Sequence, residues 1–374
     1  MKRRFIYTWY VIIKAKIIDI AANGYGHTIG LDDNGQMWSW GYNYYGQLGI
    51  NTSLYINKCT PVSILGVKKT FCKIAAGYNL SFGIDKDGLV WGWGYNSNGP
   101  LGINSTVNKC TPVSILGAKK TFCEISCLYN TNTMGLDKNG QVWCWGDNWK
   151  GQLGINSTVN QCTPVSILGS KKTFCKISAG YYLSFGIDKD GLVWGWGYGS
   201  RGQLGINSTV NKCTPVSILG AKKTFCTINS NNRVTLGLDK NGQLWGWGYN
   251  NKGQLGDNTV ISRLTPVSIL GTKKTFCAIS IGNSSSLGID NTGQVWGWGY
   301  NNYGQLGDNS TTNKCTPVSI MGAKKTFCTI SIGNSHSIGL DKDGHVWGWG
   351  YNGIGQLGDK TIISKRTPVR VCNF

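Results

Sequence analysis

The chain has 374 residues and carries a formal net charge of +20, with 37 lysines and arginines against 17 aspartates and glutamates. Glu124 is the single glutamate, and His27, His336 and His345 are the only histidines. Too few polar groups converge in the sequence for a metal site, and no paired-carboxylate or nucleophilic-triad pattern is evident, so no catalytic residue, metal or cofactor is expected.

Residues 1–16 form an N-terminal extension. Lys2-Arg3-Arg4 precede an apolar run, Phe5 to Ile13, that is too short to span a bilayer and is followed by no small-x-small cleavage site. Ile6 to Ile13 is read as a β-strand that latches the junction of the last and first repeats. From residue 17 to 374 one domain is expected. Its unit is plainest in the second copy: Phe71-Cys72-Lys73-Ile74-Ala75-Ala76, then Ser81-Phe82-Gly83-Ile84, the turn Asp85-Lys86-Asp87-Gly88, Leu89-Val90-Trp91-Gly92-Trp93-Gly94, a polar loop, and Cys110-Thr111-Pro112-Val113-Ser114. These four short segments are bounded by Gly, Asp, Asn and Pro clusters and predict four strands. No sustained 3.6-residue period appears, so almost no helix is expected.

The tryptophan pair begins at Trp38, Trp91, Trp143, Trp194, Trp245, Trp296 and Trp347. So regular a period of about 51 residues means seven copies of one unit. A lone four-stranded unit cannot bury both faces, whereas seven round an axis can. The prediction is an all-β, seven-bladed propeller with four antiparallel strands per blade, closed into a ring. Trp91 and Trp93 should share one face, with glycines on the adjoining sheet opposite the rings. Cys144 replaces the intervening glycine in copy three, where slightly wider spacing is expected.

Gly46-Gln47-Leu48-Gly49 follows the first pair and recurs at Gly151, Gly202, Gly253, Gly304 and Gly355, and as Gly99-Pro100-Leu101-Gly102. Upstream stand Gly26-His27-Thr28 and Ser335-His336-Ser337. The order Gly-x-x-His-(Ser/Thr), Asp-x-x-Gly, Trp-x-Trp-Gly, Gly-Gln-Leu-Gly, Pro-Val resembles the regulator of chromosome condensation repeat family over residues 17 to 371. The resemblance implies a seven-bladed propeller and, in the member that names the family, nucleotide exchange on the small GTPase Ran and binding to nucleosomes. The family histidine is kept only at His27 and His336. The even spacing leaves no room for the protruding hairpin that the resemblance associates with exchange.

Much of the charge is periodic. Lys68-Lys69, Lys119-Lys120, Lys171-Lys172, Lys222-Lys223, Lys273-Lys274 and Lys324-Lys325 each lie between a Pro-Val and a Phe-Cys segment. All should emerge at one end of the ring, beside the Asp-x-x-Gly turns that partly offset them. They form a candidate polyanion-binding ring, for nucleic acid or another polyanion, that would read charge and not bases; the alternative is solvated turn lysine. The opposite end carries Tyr- and Asn-rich loops, a composition suited to protein contacts. Tyr44, Tyr45, Trp149, Lys150, Arg201 and Tyr303 are its candidate partner residues, with Trp149 either an exposed anchor or folded over its own blade. The 14 cysteines fall mostly in two periodic positions without a Cys-x-x-Cys, which argues against metal. Free, mostly buried thiols in the cytoplasm or another reducing compartment are expected; secretion with disulfides is the alternative.

The expected function is a monomeric, non-enzymatic scaffold that binds another protein through one end of the ring. The alternatives are a chromatin-associated regulator or exchange factor for a Ran-like GTPase, and a structural or surface-binding component of a secreted assembly or virion.

Overall fold

The computed structural model describes residues 16–22, 26–52, 56–65, 69–115, 121–168, 172–218, 224–269, 274–321 and 325–372. The first blade consists of β1 (Ile17–Ala21), β2 (His27–Asp32), β3 (Met37–Gly41) and β4 (Lys58–Ser63). The strands pair in sequence order, all antiparallel. Six further sheets repeat this order, and no helix occurs among the described residues. The first strands of successive blades lie side by side round the axis, and that of blade seven (Phe327–Ile332) meets β1. Seven blades of four strands thus close into a ring.

The hairpin turn explains much of the repeat. Asp32 sits at the end of β2, and its Oδ1 accepts from the backbone N–H groups of Asn34 and Gln36 at 3.0 and 2.8 Å. Gly35 follows with φ +79, a conformation that costs a residue with a Cβ about 1–2 kcal/mol. The free Oδ2 accepts from Trp38 Nε1 at 2.9 Å. The same indole-to-aspartate bond joins Trp91 to Asp85 and Trp347 to Asp341. The first tryptophan of each pair is half-buried and clamps its own blade's turn.

The second tryptophan has a different task. Trp40, Trp93, Trp145, Trp196, Trp247, Trp298 and Trp349 are fully buried, and each packs against the preceding blade. Trp93 Nε1 donates to the Gln47 carbonyl at 2.9 Å and Trp196 to that of Gln152 at 2.9 Å. The bond uses only a backbone carbonyl, which is why Pro100 can stand in the glutamine position: Trp145 donates to its oxygen at 2.8 Å. A Cβ on Gly49 would lie 2.8 Å from Trp93 Nε1. The small residue opposite each indole is therefore the last glycine of Gly-Gln-Leu-Gly. The glycine between the tryptophans, Gly92, is covered by Phe82 and Leu101 of its own blade. In blade three, Cys144 is buried and paired with Met134, which stands where blades two and four have Phe82 and Phe185. The bulkier residue at 144 thus faces a flexible thioether in place of a phenyl ring.

Ring closure repeats the ordinary junction. Trp40 Nε1 donates to the Gln356 carbonyl at 3.1 Å, and Gly358 abuts its ring. Ala22 N–H donates to Ser331 Oγ at 2.8 Å, and Ser331 Oγ donates back to the Ala22 carbonyl at 3.0 Å. Lys16 Nζ donates to the Lys342 carbonyl at 3.4 Å. The latch expected for Ile6 to Ile13 lies outside the described residues. Each blade is completed by its own consecutive strands.

The thiols are arranged differently from the sequence expectation. All 14 cysteines are unpaired, but only Cys127 and Cys144 are buried. Cys72, Cys123, Cys175, Cys226, Cys277 and Cys328 are exposed. In blade two the pairing skips from Phe71↔Asp85 to Lys73↔Ile84, so Cys72 is the extra residue of a β-bulge and turns out of the ladder. Cys59, Cys110, Cys162, Cys213 and Cys315 are half-buried and wedge against the first glycine of the preceding blade's Gly-Gln-Leu-Gly; a Cβ on Gly46 would meet Cys110 Sγ at 2.9 Å.

Candidate functional site

One end of the ring carries the aspartate turns and the links between blades. Of the twelve lysines assigned to it, Lys68, Lys119, Lys120, Lys171, Lys222, Lys223, Lys273 and Lys324 lie outside the described residues. Lys69, Lys172, Lys274 and Lys325 are exposed. Lys69 Nζ lies 3.7 Å from Asp85 and 3.1 Å from Asp87, and the bond to Asp87 with the pull of both carboxylates raises its pKa. Lys172 Nζ is 3.9 Å from Asp188 and 5.6 Å from the Trp194 ring centre. Lys325 stands 5.9 Å over Trp347. Lys69, Lys172 and Lys325 thus lie over turn carboxylates or half-buried indoles, so their charge is partly engaged within the blade.

The turn of blade seven also gathers Asp341, Asp343 and His345, whose ligand atoms lie within 4.8 Å of one another. The sequence reading did not group them. Asp341 already accepts from the Asp343 and His345 backbone and from Trp347 Nε1. Burial alone would raise its pKa, but these bonds, led by that from Trp347, lower it.

Nearer the axis, the third residue of successive first strands alternates in charge: Asp19, Lys73, Glu124, Lys176. Burial raises the pKa of Asp19 and Glu124, against the opposing pull of these lysines. This ladder is internal to the ring and absorbs the lone glutamate.

The opposite end is richer. Trp149 is 63% exposed, and its ring lies 6.4 Å from that of Tyr182. Tyr45 packs edge-on against Tyr44 and, across the blade junction, against Tyr95 at 4.7 and 5.2 Å. Lys150 Nζ lies 5.9 Å from the Tyr198 ring centre. Arg201 and Arg233 flank Tyr249 at 5.2 and 5.3 Å. A cavity of about 230 Å³ joins Lys150, Tyr198, Arg201 and Arg233. Tyr303 borders a larger one, about 460 Å³, with Arg233, Tyr300 and Tyr351. The structure thus brings Lys150, Arg201 and Tyr303 onto one connected surface with Arg233 and Tyr249, while Tyr44 and Tyr45 lie on blade one.

Sequence reading missed the mouth of the channel. The loop between first and second strands carries Tyr78, Tyr129 and Tyr181 in blades two to four, but Asn232, Asn283 and Asn334 in blades five to seven. Tyr78 stacks on Tyr129 at 5.4 Å, and Tyr129 meets Tyr181 edge-on at 4.7 Å. Tyr129 OH donates to Asn283 Oδ1 at 3.2 Å, tying blade three to blade six across the mouth. Burial, with Tyr78 and Tyr181 adding, pushes the Tyr129 phenol up. Tyr182 holds φ at +61, a conformation rare outside glycine and asparagine. The legible signal was the switch from Tyr to Asn at one repeat position.

His27 and His336 belong to the core. His27 Nε2 bonds Ser81 Oγ at 3.0 Å across the blade junction. Asn132 does the same toward Ser184 at 2.9 Å. Burial, with His336 adding, lowers His27 to about 3, and burial lowers His336 to about 4, so both rings are neutral at pH 7.

The fold defines a class: an all-β repeat propeller of seven blades whose two ends carry loops of unlike composition. An RCC1-like domain description matches residues 128–374, and the RCC1 repeat matches 34–84 and 87–129. The chain belongs to the regulator of chromosome condensation (RCC1) repeat family. It is 26% identical over 359 residues to the ultraviolet-B receptor UVR8 of Arabidopsis thaliana, covering 94% of this chain and 81% of the receptor. Identity is also 26% over 354 residues to the human E3 ubiquitin-protein ligase HERC2, covering 91% of this chain but 7% of the ligase. Among solved structures, human WBSCR16 superposes with a TM-score of 0.81 at 21% identity, covering 90% of this chain and 93% of that one. Prp20p of Saccharomyces cerevisiae, a protein described with its binding to Gsp1p and histones, gives 0.80 at 19% identity, covering 96% and 87%. No helix among the described residues is long and apolar enough to cross a membrane.

Proposed function

We propose that this protein is a non-enzymatic RCC1-type scaffold that engages another protein through its tyrosine- and arginine-lined end. The observation that carries this reading is the cluster of Arg201 and Arg233 on Tyr249, beside Lys150 on Tyr198 and the exposed Trp149. Arginine and large aromatic side chains are the groups that anchor protein interfaces, and stacking on tyrosine holds the guanidinium groups in place before a partner arrives. Binding of proteins by Prp20p, as its description states, is consistent with this use of the fold.

The lysine end is assigned a lesser part. Lysines already near Asp85, Asp87 and Asp188 contribute salt-dependent attraction to polyanions and little specificity.

The test compares two charge-reversed proteins. Arg201→Glu with Arg233→Glu should abolish binding of a partner that has been captured by the intact chain, identified, purified and shown to bind directly. Lys172→Glu with Lys274→Glu should weaken it only at low salt. Equal loss from both, or loss only from the second pair, contradicts the proposal.

A further inference from the structure

The residue after each Trp-x-Trp-Gly is tyrosine in six blades: Tyr42, Tyr95, Tyr198, Tyr249, Tyr300 and Tyr351. In blade three it is Asp147. The exchange removes a ring and puts a carboxyl in its place. A cavity of about 450 Å³ lies there, lined by Tyr78, Tyr95, Tyr129, Tyr181, Tyr182 and Asp147 among others. Asp147 is 1% exposed. Its Oδ1 accepts from the Trp149 N–H at 3.3 Å, but its Oδ2 is buried without a hydrogen-bond partner. A buried polar atom left unpaired is costly, and an unpaired carboxylate oxygen more so.

From this geometry we infer that the blade-three cavity is a cage for an alkylammonium group, presented by a lysine side chain of the partner. Five tyrosine rings line the cavity, and a ring face favours a cation over a neutral group of the same size. Asp147 Oδ2 supplies the one counter-charge. Among the described residues, no lysine or arginine lines the cavity. The neighbouring cations Lys150 and Arg233 lie over Tyr198 and Tyr249, although Arg233 is near enough to act on the Tyr129 phenol. Burial pushes the Asp147 carboxyl up, the direction taken by an acid that lacks a nearby cation. Trp149, two residues on and 63% exposed, holds its ring 6.4 Å from that of Tyr182, one of the lining tyrosines. The inference deepens the scaffold reading, since it names a group that the partner would present.

The test uses the full chain and three short peptides that are identical except at one position, which holds lysine, trimethyllysine or norleucine. Choline is a fourth probe. Titration calorimetry should show the two cationic peptides binding at least about tenfold more tightly than the norleucine peptide. Asp147→Asn, which keeps shape and removes charge, should weaken both by about tenfold or more. Asp147→Tyr, which restores the residue of the other six blades, should abolish binding while the melting temperature stays within a few degrees. Norleucine binding as tightly as lysine, or Asp147→Asn leaving affinity within about twofold, overturns the cage. Binding of choline but of neither cationic peptide overturns the lysine assignment. Capture of a partner that is lost with the arginine pair yet indifferent to Asp147→Asn would sink the cage and leave the scaffold reading standing.

Discussion

Trp40→Phe probes ring closure directly. Trp40 is fully buried at the junction of blades seven and one, and its indole N–H donates to the Gln356 carbonyl. Phenylalanine removes that donor and leaves the Gln356 carbonyl with the Thr28 hydroxyl at 3.4 Å; the lost hydrogen bond costs about 0.5–1.5 kcal/mol. It also removes roughly two buried ring carbons, about 1.5 kcal/mol at 0.8 kcal/mol each. The expected loss is about 2–3 kcal/mol. Trp196→Phe makes the same change at the junction of blades three and four, where the carbonyl belongs to Gln152. In a closed ring the two junctions are equivalent, so the two losses should agree to within about 1 kcal/mol. Urea unfolding followed by fluorescence and by hydrogen exchange measures both, with one transition for both probes as the check on two-state behaviour. A loss for Trp40→Phe of less than a third of that for Trp196→Phe would refute closure, because the terminal blades would then be unjoined in solution.

Pro100→Gln should change stability by less than about 0.5 kcal/mol, since the carbonyl that receives Trp145 Nε1 is kept; thermal unfolding checks this. Gly205→Ala should cost about 2–5 kcal/mol in urea melts, because its φ is +70 and the new Cβ falls 2.8 Å from Trp247 Nε1. The buried histidines make the fold acid-sensitive. An unfolded histidine takes its proton near pH 6.5, before the folded ring can, so their contribution is fully present above about 6.5 and is lost as pH falls toward about 3 for His27 and about 4 for His336. His27→Asn, which reproduces the Asn132 to Ser184 contact of blade three, should leave stability at pH 7 nearly unchanged. It should flatten the acid limb by about 1.4 kcal/mol per pH unit, as read from urea melts at successive pH values. Native-state thiol labelling followed by peptide mapping should modify Cys72, Cys123, Cys175, Cys226, Cys277 and Cys328 well before Cys127 and Cys144.

The architecture was legible because the repeat is spelled out in punctuation. Asp-x-x-Gly encodes a turn that only glycine closes at Gly35 and Gly88, and the tryptophan period counts the blades. What alternation along a strand did not reveal was the partner of each indole. Trp38 and Trp40 lie on the same face, yet one bonds Asp32 in its own turn and the other a carbonyl from a blade more than 300 residues away in sequence. The exposed ring of cysteines escaped for a related reason: a β-bulge shifts Cys72 out of register, and a simple two-residue period has no term for it. The site was legible only where one copy broke the pattern. Asp147 and Trp149 stood out as departures, whereas Tyr78, Tyr129 and Tyr181 share a mouth with Asn232, Asn283 and Asn334 only because the ring closes. The lysine dipeptides were conspicuous in sequence, but spacing alone did not show that Lys69, Lys172 and Lys325 lie beside turn carboxylates or indoles.

The most direct test of a binding scaffold that works through one end is direct binding of its purified partner to the two charge-reversed proteins, both first shown to melt like the parent. Loss of binding with Arg201→Glu and Arg233→Glu, at low and high salt alike, and its retention at high salt with Lys172→Glu and Lys274→Glu, is the predicted result. Undiminished binding by the arginine variant would contradict it.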